Sequence, residues 1–131
     1  MNNNEISIAD FKKIRRKKSN QTNATTLAII GYLNTSKCWA WRNNTIGVFD
    51  PVKKVFRRNK HSLRGAADII GLTQKGQFLS VELKTGKDKM SIHQEYFREQ
   101  ITNHGGIYLC VKDFDDFLKQ FSQHSCNKNP F

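Results

Sequence analysis

The sequence predicts a single α/β domain in which a mixed central β-sheet is flanked by helices. Three observations carry this prediction. The chain has 131 residues, the length of one ordinary domain and enough for one real core. Two short apolar runs, within residues 65–71 and 78–84, flank a Gly-containing turn and read as a strand hairpin. A helical stretch then separates the second run from a further apolar run, Ile107–Val111, and such a strand-helix-strand unit crosses over into parallel or mixed pairing. There is no internal repeat.

Residues 1–21 are polar, Asn-rich and then strongly basic, with Arg15, Arg16, Lys17 and Lys18 closing the run. They read as a solubilising tail or as an arm that grips phosphate, and the scarcity of acids beside them favours the arm. Thr22 or Asn23 can cap a helix that runs to about Asn34, with Leu27, Ile30 and Leu33 on its apolar face. Residues 38–42 form a first strand, where Trp39 and Trp41 alternate with Cys38 and Ala40, which places one or both indoles in the core. Residues 43–64 are loop-rich, with Asp50-Pro51 as a turn. After the central hairpin and a loop at 85–90, Ser91 is an N-cap with Gln94 three residues on, a capping box. Phe97 and Ile101 continue that helix and Gly105-Gly106 ends it. Asp113 caps a last helix, whose Phe114, Phe117, Leu118 and Phe121 have the spacing of a buried stripe. The folded domain is therefore expected at 22–122, followed by a tail at 123–131.

The central hairpin carries the chemistry. Strand side chains alternate, so Leu79, Val81 and Leu83 point one way while Ser80, Glu82 and Lys84 point the other. A three-residue loop Gln74-Lys75-Gly76, with Gly76 in the left-handed conformation, pairs Thr73 with Gln77 and sets Asp68 opposite Glu82. Directly opposed Cβ atoms lie roughly 4.5–5.5 Å apart, and two carboxylates at that distance repel unless a cation sits between them. A hard divalent metal with oxygen ligands would serve. A two-residue Lys75-Gly76 loop would instead put the acids on opposite faces; the shared face is the reading carried forward.

Charge points to a polyanionic partner. The formal net charge is +11, and between Phe11 and Arg64 fourteen Lys or Arg face one acid, Asp50. From Gly65 onward the signs balance, eight against eight. Lys53, Lys54, Arg57, Arg58 and Lys60 interleave with Phe56 and His61, a density of cations that marks a backbone-binding surface. Arg42, Arg64 and Lys87 are further phosphate candidates. Cys38, Cys110 and Cys126 have no metal-ligand spacing, so neither zinc nor a disulfide framework is expected. His61, His93, His104 and His124 lack partner spacing and read as surface or structural residues. Ser80 reads as packing. No apolar leader or bilayer-length run is present, so the chain is expected to be soluble and cytoplasmic, with no membrane partner and no small-molecule cofactor.

Asp68, then Glu82-Leu83-Lys84 at the end of the next strand, then Gln94 early in the following helix, resembles the PD-(D/E)xK nuclease signature. Within that superfamily the chain is most similar to the VRR-NUC (virus-type replication-repair nuclease) domains. Matching stretches include Trp41-Arg42-Asn43-Asn44, Gly47 to Asp50, Gly65 to Gly71, Gly76-Gln77-Phe78, Glu82 to Thr85, Ser91 with Gln94, and Gly105-Gly106. The likeness runs from about Thr22 to Phe117. Ala67 replaces the signature's Pro, and the Glu that family members usually carry in the N-terminal helix is missing, because no acid lies between Asp10 and Asp50. Glu5 or Asp10 could reach in, or water could fill that place.

The resemblance implies a restriction-endonuclease-like fold and a metal-dependent endonuclease acting on DNA. Asp68, Glu82 and the Leu83 carbonyl would hold Mg²⁺ or Mn²⁺. Lys84 would orient the attacking water and stabilise the transition state, and Gln94 would position the water or Lys84. Stand-alone members resemble Holliday-junction resolvases, which implies a homodimer on branched DNA and a viral or mobile-element source. Two other readings stay open: a non-catalytic DNA-binding module on a degenerate nuclease fold, and a duplex- or nick-directed nuclease of restriction or homing type. An RNA substrate also stays open.

Overall fold

The computed structural model describes residues 18–43, 48–57 and 62–124, with side chains from Gln21 onward. The elements in chain order are α1 (Lys18–Thr35), β1 (Trp39–Arg42), β2 (Val48–Asp50), β3 (Val55–Arg57), β4 (Ile69–Leu72), β5 (Phe78–Leu83), α2 (Ile92–Asn103), β6 (Ile107–Val111) and α3 (Phe114–Phe121). Four strands make a mixed sheet in the order β1-β4-β5-β6, antiparallel except for the parallel β5–β6 pair; β2 and β3 form a separate antiparallel hairpin. The architecture is α/β, a mixed sheet flanked by helices. Among the described residues no helix is long and apolar enough to cross a membrane, and neither Cys38 nor Cys110 is in a disulfide.

Turn chemistry sets the register of β4 against β5. Gly76 has φ +80° and its N–H donates to the Thr73 carbonyl, while the Thr73 N–H donates to Gln77 across the mouth of the loop. Ile69 then pairs with Val81 and Ile70 with Ser80. This is the register of the three-residue loop, and it carries Asp68 to Glu82.

The two faces of the sheet are covered differently. Ala40, Ile69, Leu79, Val81, Leu83, Ile107, Leu109 and Val111 form a sealed apolar layer with Ile29 and Leu33 of α1 and Phe117 and Phe121 of α3. Tyr32 of α1 meets Phe114, Phe117 and Phe121 edge-on, with ring centroids 5.8–6.1 Å apart. The opposite face receives α2, whose Phe97 packs against Tyr108 of β6. The edge strand β1 is tied down by Asn34, whose amide bonds both the N–H and the carbonyl of Ala40 and so supplies a strand's partners from a side chain.

Three expectations are corrected. Helix α1 is described from Lys18, so neither Thr22 nor Asn23 is its N-cap. Its buried line is Thr26, Ile29 and Leu33, whereas Leu27 is exposed; the Thr26 hydroxyl donates to the Thr22 carbonyl, which lets a polar residue take a core position. The indoles of Trp39 and Trp41 are not in the core: they remain 66% and 41% exposed, because α2 packs over the β6 side of that face.

Candidate functional site

Asp68 immediately precedes β4, and Glu82 sits near the end of β5. The two strands clamp each other's acids: the Asp68 N–H donates to Glu82 Oε2 (3.2 Å), and the Leu83 N–H donates to Asp68 Oδ2 (3.0 Å). Glu82 Oε1 accepts from Gln94 Nε2 at 2.8 Å and lies 3.7 Å from Lys84 Nζ. Glu82 is 3% exposed. Burial first, and the Asp68 carboxylate second, push its carboxyl up to about 7, against the opposing pull of Lys84.

Gln94 does two things at once. Its Oε1 accepts from the Ser91 N–H, closing the capping box, while its Nε2 reaches Glu82. The cap therefore fixes the amide that fixes the acid.

The loop before β4 closes on the start of α2. Gly65 has φ +74°, and a Cβ there would lie 2.3 Å from the His93 carbonyl, so only glycine allows this approach. Arg64 then places Nη1 3.2 Å from His93 Nε2. These residues, with Asp68, Glu82, Ser91 and Gln94, line a cleft of about 320 Å³. Asn43 braces its floor, its N–H donating to the Asp68 carbonyl and its amide to the Ala67 carbonyl.

Among the described residues the expected cations do not gather in one place. Arg64 lines the cleft. Arg42 points to the face away from the acids and donates to Asn23 Oδ1. Lys87 lines a second cleft with Gln21 and Thr22. Arg57 is held 2.7 Å from Asp50, whose Oδ1 also accepts from Val52 and Lys53 N–H groups, while Lys53 and Lys54 stand exposed in the same hairpin. Arg15, Arg16, Lys17, Arg58 and Lys60 lie outside the described residues, as do Glu5 and Asp10, and of Lys18 only the backbone is described. Ser80 donates to the Ile107 carbonyl and is a packing residue, as expected. His93 is the cleft residue that sequence reasoning passed over; its only signal was adjacency to Gln94.

No family model and no curated protein matches this chain. The site has to be judged on its own chemistry.

Two carboxylates locked in one hydrogen-bond lattice, one of them pushed toward neutrality by the other and by burial, fit a hard divalent cation better than they fit each other. Among the described residues no group of three or more His, Cys, Asp or Glu could hold a metal. The α1 positions near which the resemblance expects a third acid, Thr22 and Asn23, are neutral, and Asn23 accepts from Arg42 on the face away from the acids. The protein thus offers two carboxylates and backbone oxygen, which suits an ion that keeps several waters.

Proposed function

We propose that this chain is a metal-dependent endonuclease of the PD-(D/E)xK type, akin to the VRR-NUC domains, that hydrolyses DNA phosphodiester bonds. One observation carries the reading: the β4–β5 register that lays Asp68 against Glu82, with Lys84 3.7 Å from the same carboxylate. Asp68, Glu82 and the Leu83 carbonyl would hold Mg²⁺ or Mn²⁺, which when bound supplies Lewis-acid stabilisation and a water of lowered pKa. Lys84, a compact charge on the same strand face, orients a water and offsets charge growing on the phosphate oxygens. Gln94 holds Glu82 in place, and Arg64 gives the cleft a cation that can fork onto a phosphate. The substrate is branched DNA such as a Holliday junction, cut by a homodimer because one small site reaches one strand at a time.

A second reading, a DNA-binding module without catalysis, is favoured by the missing acid in the N-terminal helix and opposed by the intact Asp68, Glu82 and Lys84. Cleavage of a labelled panel (four-way junction, flap, nicked duplex, plain duplex, single strand) with Mg²⁺, Mn²⁺ or EDTA separates the two. The nuclease requires metal-dependent cutting that is lost in Glu82→Ala and Lys84→Ala. Tight binding without cutting by the wild type would establish the second reading.

A further inference from the structure

The two indoles left outside the core lie on the face of the sheet that bears the acids. Trp41 pairs with Ile70 and Trp39 with Leu72, and Ile70 stands two residues beyond Asp68 on the same side of β4. Cross-strand and along-strand spacings put the Trp41 Cα about 8 Å from that of Asp68. The ring centroids are 5.0 Å apart, so the two side chains make one continuous apolar surface, flanked by half-buried Ile70 and Leu72.

We propose that Trp39 and Trp41 form a stacking platform for unpaired bases beside the scissile phosphate. The proposal rests on the nuclease reading and narrows its substrate to DNA with unstacked bases next to the cut. Area decides against a second copy of the chain as the occupant. Taking about 250 Å² for a whole indole side chain, the exposed fractions leave roughly 270 Å², far below the ~800 Å² per partner of a stable dimer. That area suits one or two base faces. Charge agrees, since a chain of net charge +11 concentrates a polyanion at its surface. A base in duplex stacks on its neighbours and offers no face, so the platform selects flaps, forks, junction centres and single strands.

The chain has only these two tryptophans, so its indole fluorescence reports on the platform alone. Full-length protein in EDTA would be titrated with a single-stranded thymidine oligonucleotide, the same oligonucleotide with abasic sites, and a blunt duplex. The expected result is quenching by the single strand, weak quenching by the abasic strand and the duplex, and affinity for the single strand lowered on the order of tenfold by Trp41→Ala or Trp39→Ala. Trp41→Phe should restore most of that loss, which a merely unfolded variant would not do. Equal quenching by duplex and single strand would overturn the proposal, as would unchanged affinity in both alanine variants. So would fluorescence that changes on protein dilution, with a sedimenting mass that falls in Trp41→Ala, which would identify a second copy as the occupant. Because the titration needs no cleavage, a platform that fails in a cutting enzyme, or works in a non-cutting one, separates this inference from the nuclease reading.

Discussion

The two faces of the central sheet are both buried along β5, by opposite means. On one, Leu79, Val81 and Leu83 meet the aromatic side chains of α3 and the apolar line of α1. On the other, Ser80 and Glu82 are buried among hydrogen bonds with half-buried Lys84 beside them, and Glu82 is held off its ordinary ionisation by burial and by Asp68. The sealed face contributes stability by removing apolar area from water. The polar face keeps two acids together at a cost in stability, which is what the proposed metal site requires.

Substitutions should separate the faces. The largest effect is expected from Phe117→Ala, which opens a cavity under three ring contacts and should destabilise the fold by about 3–5 kcal/mol, measured by denaturant unfolding. On the polar face the sign reverses. With its folded pKa at about 7, above the ordinary 4.5, Glu82 favours the native state when protonated. In EDTA the contribution is complete below about pH 4.5 and is lost as pH rises through 7, on the order of 3 kcal/mol. Glu82→Gln should flatten that part of the stability–pH curve and raise the melting temperature at pH 8. A variant that melts lower at pH 8 than the wild type would show the acid to be structural.

Smaller effects test how the site is held. Ser91→Ala removes only the hydroxyl that accepts the Gln94 backbone N–H and should lower stability by about 1 kcal/mol in denaturant unfolding, while the Ser91 N–H still holds Gln94 Oε1, so cleavage per folded molecule should change little. Tyr108→Phe should be near neutral or slightly stabilising, since the buried hydroxyl has no hydrogen-bond partner among the described residues.

What could be read from the sequence was local. The Gln-Lys-Gly loop, read as three residues, gives the register that opposes the acids, and Ser91 with Gln94 gives the capping box; that Gln94 also reaches Glu82 was not readable from spacing. What could not be read depended on other elements. Thr26 took a core position through a bond to its own helix, which rotated the buried line away from Leu27. Alternation along β1 shows that Trp39 and Trp41 share a face, not that α2 leaves it uncovered. The partnership of Arg42 with Asn23, nineteen residues back, likewise left no trace in spacing.

The most direct test of the account is calorimetric titration of Mn²⁺ into the full-length protein at pH 7, in two buffers of different ionisation enthalpy. The expected result is one class of site whose binding releases about half a proton, since Glu82 with its pKa at about 7 is half protonated at that pH, and which disappears in both Asp68→Asn and Glu82→Gln. Binding that leaves the proton balance unchanged and survives both substitutions would contradict the claim that these two acids are a metal site.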